Sequence, residues 1–111
     1  MGRTSLVGEA VLQREIVNLL RLVGCAVYVT SQGYRRDPGG TRMTPGLPDL
    51  LVLHDETAWT FVEVKTAKGK IRPSQMEFAA YAAECRVPCE VWRSVDDAKR
   101  WLVAHGIVEA A

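Results

Sequence analysis

Cysteine and long apolar runs are scarce in this sequence. Only three of its 111 residues are cysteines, and they contain no C-x-x-C pair, so neither a disulfide framework nor a zinc knuckle is supported. We expect Cys25, Cys85 and Cys89 to be buried, reduced thiols. No apolar run approaches the ~20 residues of a membrane span, and the first residues contain no signal-peptide core. We therefore expect a cytoplasmic protein.

An excess of charge of one sign is also missing. Fourteen Lys and Arg residues stand against 13 Asp and Glu residues, for a formal charge of +1, so overall charge does not indicate a nucleic-acid or membrane partner. The composition, 48% hydrophobic and 24% charged, is typical of one globular domain, which we predict over residues 1–111. A chain of this length has no room for a deep enclosed cavity, so we expect an open site.

Apolar periodicity and turn residues predict seven elements in the order αβββαβα. A helix is predicted over residues 9–23, where apolar side chains recur at helical spacing and Gly24 provides a stop. Short apolar runs predict strands over residues 25–30, 50–54, 59–65 and 89–93.

Two further helices follow the hairpin. Pro73 suits the first turn of a helix that runs to about Arg86. The predicted packing side of this helix consists of Met76, Ala79, Ala80 and Ala83. Ser94, with an acid three residues later, resembles the cap of a last helix that packs Ala98, Trp101 and Leu102.

Residues 31–46 form a segment of different character. They contain four of the nine glycines, two prolines, and the arginines Arg35, Arg36 and Arg42. We predict a long basic loop, and loops of this length inside a compact domain are usually functional or disordered. Function is favoured here because a catalytic-looking motif follows at once.

Asp49 and Glu63 are the most informative residues, because a hairpin alone can bring them together. If the turn is centred on Glu56, residues whose numbers add to 112 face each other, which places Asp49 opposite Glu63. Like charges about 5 Å apart repel unless a cation lies between them. Two carboxylates, with a backbone carbonyl and waters, suit Mg²⁺ or Mn²⁺ better than zinc.

Lys65 projects from the same strand face as Glu63 and can place an ammonium group beside the cation. The alternative is that Asp49 merely ends a turn, while Glu63 and Lys65 form ordinary surface pairs on an edge strand. The combination favours a site, because Trp59 and Phe61 share that face and paired ionisable groups on a half-buried face are costly.

These residues together resemble a known family. Gly46-Leu47-Pro48-Asp49-Leu50 and Glu63-Val64-Lys65, with Gly69 and Gln75 downstream, are similar to the core of the VRR-NUC (virus-type replication-repair nuclease) domain, a branch of the PD-(D/E)-x-K nuclease superfamily. The resemblance covers almost the whole chain. It implies an α/β fold of the restriction-endonuclease type, with an αβββαβ core, a mixed central sheet flanked by helices, and an additional C-terminal helix.

The resemblance also implies roles for individual residues. A divalent metal would be held by Asp49, Glu63 and the carbonyl of Val64, and Lys65 would orient or activate the attacking water. Gln75 matches a family glutamine that contacts the scissile phosphate or the nucleophilic water; the alternative is a solvated first-turn glutamine. Many relatives have an arginine late in the first strand and an asparagine before the next glycine, and this chain has neither, so no substrate contact is carried over there.

Glu9 and Gln13 are similar to the family's Glu-x-x-x-Gln on the first helix, and the resemblance implies that Glu9 helps to hold a second ion. Glu9 lies roughly 40° from the centre of the apolar stripe and Glu15 roughly 80°, so Glu9 is better aimed at the sheet. The alternative interpretation of Glu9 is a helix N-terminal acid that the macrodipole favours.

Basic residues flank the proposed carboxylates on both sides. Four positive charges occur within eight residues, at Lys65, Lys68, Lys70 and Arg72, and the preceding loop adds three arginines. Two such runs beside an acidic, metal-loaded pocket suit the backbone of DNA, although each run alone is often just a solvated loop. We expect hydrolysis of a phosphodiester by a water that the metal polarises and Lys65 positions.

Stand-alone VRR-NUC domains of phages and bacteria resemble structure-selective endonucleases that cut branched DNA, including Holliday junctions. The resemblance thus implies a DNA repair endonuclease in the cytoplasm of a bacterial or phage-infected cell. A homodimer would supply the two sites that symmetric cutting needs. Trp92 and the last helix with Trp101 are candidates for its interface, although tryptophans at such positions are more often core residues. Two alternatives stay open: a monomeric flap or nicking endonuclease, and a non-catalytic DNA-binding module.

Overall fold

The computed structural model describes residues 8–30 and 44–110. The predicted order αβββαβα is confirmed, and the predicted ends differ from the observed ones by at most two residues. The elements are α1 (Glu9–Leu22), β1 (Ala26–Val29), β2 (Leu50–Asp55), β3 (Ala58–Val64), α2 (Pro73–Glu84), β4 (Cys89–Trp92) and α3 (Val95–Ala104). Three residues expected to bind DNA lie outside the described residues: Arg35, Arg36 and Arg42.

The four strands form one mixed sheet in the order β1-β2-β3-β4. β2 is antiparallel to both β1 and β3, and β4 runs parallel to β3 after the α2 crossover. Leu50 pairs with Val62 and Leu53 with Trp59, which is the register that the sequence predicts. A bulge after Leu53 shifts the pairing at the turn.

The hydrophobic core lies between one face of the sheet and the pair α1 and α3. Val62 and Val64 of β3 are fully buried on that face, because alternate side chains of a strand point to the same side. The side chains that cover them from the two helices include Ile16, Leu20 and Leu102. The predicted burial of the last helix through Ala98, Trp101 and Leu102 is confirmed.

Helix α2 covers part of the opposite face, where the ring of Phe78 packs edge-on against Phe61 at a centroid distance of 5.5 Å. The predicted packing side of α2 is wrong. Met76 is 58% exposed, and the three alanines predicted with it, Ala79, Ala80 and Ala83, are exposed as well. The apolar residues of α2 are spread around its whole circumference, so their periodicity does not identify one packing side. The large ring of Phe78 determines which side faces the sheet.

The expectation that all three cysteines are buried also needs correction. Cys25 is buried, but Cys89 is half-buried and Cys85, which ends α2, is exposed. Trp92 and Trp101 lie in the core with their ring centroids 5.9 Å apart. This is the alternative that the sequence favoured for both residues over a place in a subunit interface. Within the described ranges, every helix is too short or too polar to cross a membrane.

Candidate active site

Three carboxylates from three elements converge at one end of the sheet. Asp49 directly precedes β2, Glu63 lies near the end of β3, and Glu9 is the first residue of α1. One oxygen from each carboxylate lies within 4.8 Å of the other two. The predicted hairpin register accounts for the approach of Asp49 to Glu63, whereas Glu9 reaches them only because α1 packs across the sheet.

Pro48 explains how the backbone contributes to this cluster. Continuing the β2–β3 register by two residues places Pro48 opposite Val64. Proline has no N–H, so it cannot donate a ladder hydrogen bond to the carbonyl of Val64. The carbonyl of Pro48, which would be the ladder acceptor for the amide of Val64, accepts from Oγ1 of Thr30, and the Val64 amide donates to Oδ2 of Asp49 at 2.9 Å. The N–H and C=O of one strand residue point to the same side, so the Val64 carbonyl is turned toward Asp49.

Glu63 is a buried carboxylate with one unpaired oxygen. The residue is 4% exposed; its Oε2 accepts a hydrogen bond from Nε2 of Gln75 at 2.8 Å and lies 3.8 Å from Nζ of Lys65. Its Oε1 is buried without a hydrogen-bond partner among the described residues. Burial, followed by the charge of Asp49 and a hydrogen bond with it, raises the pKa of Glu63 to about 8, and the nearby charge of Lys65 opposes this shift.

A hard divalent cation fits this arrangement. Close carboxylates repel each other, and an unpaired buried oxygen is costly, so a cation among them would relieve both penalties. The available donors are the three carboxylates and the Val64 carbonyl, and oxygen ligands of this kind are those that Mg²⁺ and Mn²⁺ prefer. The ligands that the protein offers at this site are therefore all oxygens, as such an ion requires.

Lys65 is held beside Glu63 by the loop that follows it. The residue is 6% exposed, and a Cβ atom built on Gly69 would lie 3.3 Å from Cδ of Lys65 and 3.3 Å from Oγ1 of Thr66. Such contacts are tight, so a side chain at position 69 would push against the lysine stem. Gly69 thus lets the loop close over Lys65.

Arg93, which directly follows β4, fixes the same loop in a role that the sequence did not predict. Its Nη1 donates to the carbonyl oxygens of Thr66 at 2.8 Å and Gly69 at 2.7 Å. These contacts span 27 and 24 residues along the chain. An isolated arginine after a short strand carries no sequence signal that distinguishes such a role from a solvated side chain.

Gln75 joins the start of α2 to the carboxylates. Its Oε1 accepts a hydrogen bond from the backbone N–H of Arg72 at 2.8 Å, and its Nε2 donates to Glu63. One side chain therefore satisfies a free amide at the helix N-terminus and orients a site carboxylate.

Gly46 brings the Gly-Leu-Pro-Asp segment against α2. It has a φ of +103°, and a Cβ atom there would collide with the backbone of Ser74. Because only glycine tolerates both constraints, this position lets the segment that carries Asp49 pass close to the helix that carries Gln75.

The remaining predicted residues surround the cluster at different distances. Gln13 is half-buried on α1, one turn after Glu9, whereas Glu15 is exposed and outside the carboxylate cluster. Three basic residues of the β3–α2 connection have exposed side chains: Lys68, Lys70 and Arg72.

Comparison with known proteins agrees with this architecture. A family model described as the VRR-NUC domain matches residues 12–96. A solved structure described as a VRR_NUC domain is similar with a TM-score of 0.64 and 23% sequence identity, over 87% of this chain and 95% of that chain. That likeness supports the fold, and the predicted α/β fold with a mixed sheet is confirmed. No curated protein sequence matches the chain.

Proposed function

The chain belongs to the VRR-NUC family, and from this membership we propose that it is a metal-dependent endonuclease that cuts branched DNA. Membership indicates a nuclease-type function. The metal dependence, the residues of the site and the branched substrate are proposals. The observation that carries the metal dependence and the site residues is the convergence of the carboxylates of Glu9, Asp49 and Glu63, together with a buried Oε1 of Glu63 that has no hydrogen-bond partner among the described residues.

Asp49, Glu63, Glu9 and the carbonyl of Val64 would hold the cation, Mg²⁺ or Mn²⁺. When bound, such an ion supplies Lewis-acid polarisation and neutralises charge on the phosphoryl group. We assign to this site the hydrolysis of a phosphodiester, because hard oxygen ligands beside a lysine fit attack by water at phosphorus.

The protein groups beside the carboxylates orient the reactants. The ammonium group of Lys65, 3.8 Å from Oε2 of Glu63, would donate a hydrogen bond to the attacking water or to a phosphate oxygen. Gln75 holds Glu63 in place through its amide, so we assign it to positioning the carboxylate as well as to the water or phosphate contact that the family implies. Low exposure of Lys65 strengthens its charge–charge interactions.

DNA would approach from the side where basic residues are exposed. Lys68, Lys70 and Arg72 would contact phosphates, and Gln13 would contact the strand beside Glu9. The loop arginines Arg35, Arg36 and Arg42 are proposed to contribute in the same way, by their sequence position alone. Phosphate contacts of this kind provide affinity and orientation without reading base sequence.

For the substrate we propose a four-way junction cut by a homodimer, in which a two-fold axis would supply two equivalent sites.

The test of this proposal uses labelled junction, flap and linear duplex, each with Mg²⁺, Mn²⁺ or chelator. We expect metal-dependent cutting that favours the junction and that is lost in Asp49→Ala. The matched control is Asp96→Ala, an exposed acid on α3, which should cut normally; an active Asp49→Ala protein would refute the assignment.

The same assay separates the alternatives. A monomeric flap or nicking endonuclease would sediment as a monomer and cut flaps in preference to junctions. A DNA-binding module would retain affinity in both metal conditions but show no turnover.

A further inference from the structure

A polar groove lies between helix α1 and the edge strand β1. It encloses about 580 Å³. Its described lining contains no acid, and its polar side chains are those of two arginines and two amides, Arg14, Arg21, Gln13 and Asn18, besides the hydroxyl of Tyr28. The chain as a whole has almost no net charge, so this local excess of positive charge favours an anionic occupant.

The groove begins beside the carboxylate cluster and leads away from it. Gln13 lies one helical turn after Glu9 on α1, and Arg21 lies at the far end of the same helix. Arg21 lies twelve positions after Glu9 on α1, which corresponds to about 18 Å along the helix axis. This length equals the rise of about five base pairs, at ~3.4 Å for each phosphate along one strand.

The edge of β1 adds backbone donors to the groove. Thr30 N–H bonds to the carbonyl of Asp49 at 2.8 Å, so the alternation of the ladder turns the polar groups of Val27 and Val29 away from β2. Arg21 already donates to the carbonyl of Val27 through Nη2 at 2.9 Å. The amide of Val29 therefore points into the groove, close to its end at the carboxylate cluster.

We propose that this groove binds the backbone of one strand of a DNA arm as the strand leaves the cleavage site. Arg14 and Arg21 contact its phosphates, and Gln13, Asn18 and the amide of Val29 donate hydrogen bonds to phosphate oxygens. This inference rests on the proposed nuclease function, because it fixes the path of DNA relative to the carboxylate cluster. Contacts to phosphates would make the path independent of base sequence.

The primary experiment measures binding of a labelled junction to the Asp49→Asn protein at several salt concentrations. Adding Arg14→Gln and Arg21→Gln together should weaken binding roughly tenfold at ~0.1 M salt. The slope of log K against log salt, which is negative, should become less steep by about 2. Arg21→Lys, which keeps the charge, should retain most of the affinity. Circular dichroism and urea unfolding of each variant identify any loss of folding. The control is Lys99→Gln on α3, exposed and outside the groove lining, which should change neither quantity.

A second experiment places the groove on the DNA. Single neutral methylphosphonate linkages are introduced one to five nucleotides from the cut, on each side in turn. Neutral linkages on one side should weaken binding of the parent protein and should have little further effect in the Arg14→Gln, Arg21→Gln background.

The outcomes separate this inference from the nuclease assignment. If the folded double variant binds with unchanged affinity and salt slope while the parent chain cuts junctions, the groove is not the DNA path. If the arginine variants lower affinity but the parent chain shows no metal-dependent cutting, the path is supported and the nuclease function fails. Equal sensitivity to neutral linkages in both backgrounds would overturn the path.

Discussion

The two faces of strand β3 bury side chains of opposite character. Val62 and Val64 are fully buried against α1 and α3, in a cluster of buried apolar side chains. Glu63 and Lys65 point to the other face and are almost as deeply buried, yet they carry ionisable groups. One face gains free energy from burial, whereas the other loses free energy by desolvating charge.

The contrast between the two faces of β3 shows that the buried ionisable groups, and not the apolar core, are the part of the molecule that lowers its stability. A face selected only for stability would pair or remove its buried carboxylates, because such groups rarely remain buried without compensation. Here Oε1 of Glu63 has no hydrogen-bond partner among the described residues, and its pKa is raised to about 8. Residues that destabilise a fold and converge in one place are typical of functional sites.

The largest expected effect is on the charged face. Glu63→Gln keeps the shape and the hydrogen bond from Gln75 but removes a proposed metal ligand. We expect metal-dependent cleavage to fall by about 10³-fold, or ~4 kcal/mol of activation free energy. The free energy of unfolding at pH 8 should not decrease, because the variant no longer buries an ionisable group. Cleavage rates and urea unfolding of the same samples check both expectations, and Glu15→Gln, exposed on α1, is the matched control. A Gln variant that cuts at the normal rate would remove Glu63 from the site.

The corresponding change on the apolar face should reverse this pattern. Leu20→Ala removes a fully buried side chain of α1, and we expect it to lower the free energy of unfolding by about 3 kcal/mol through lost burial and a residual cavity. The rate of cleavage by the remaining folded protein should change little. Urea unfolding and cleavage assays at low temperature test this contrast. Exposed Leu22, on the same helix, is the control, since Leu22→Ala should cost far less.

The sequence predicted best what short-range chemistry determines. The hairpin register follows from one turn and alternating side chains, so the approach of Asp49 to Glu63 could be predicted from the residue pattern alone. The family resemblance pointed to Glu9 and Gln75, but the contact from Gln75 to Glu63 depends on how α2 crosses the sheet. Arg93 could not be found because its partners lie 24 and 27 residues away.

The side of α2 that packs on the sheet was predicted wrongly for a related reason. Apolar residues occur all around this helix, so its orientation is determined by the sheet and not by its own pattern. Phe78 packs against Phe61, and Met76 is exposed to solvent. Long-range packing therefore decides which first-turn residue points at the carboxylates.

The smallest expected effect is a pH dependence that distinguishes the two faces without changing the core. In the metal-free protein the folded pKa of Glu63 is about 8, whereas an unfolded glutamate titrates near 4.3. Between these values the folded state holds a proton that the unfolded state has released, so the free energy of unfolding falls as pH rises from about 5 to 8. We expect a total fall of roughly 2 kcal/mol from this group, less than the full shift would give, because Glu63 interacts with Asp49 and Lys65.

Urea unfolding of the metal-free chain at pH 5, 6, 7 and 8 measures this fall, and Glu63→Gln isolates it by difference. Added Mg²⁺ should reduce the slope, because a cation that binds the ionised carboxylate stabilises the folded state more as the proton leaves. The Leu20→Ala protein should be less stable at each pH but keep the wild-type slope, since the buried cluster that contains Leu20 includes no carboxylate, lysine or histidine among the described residues. Parallel pH curves for the parent chain and Glu63→Gln would show that burial of this carboxylate does not cost the fold free energy, and the proposed contrast between the two faces would fail.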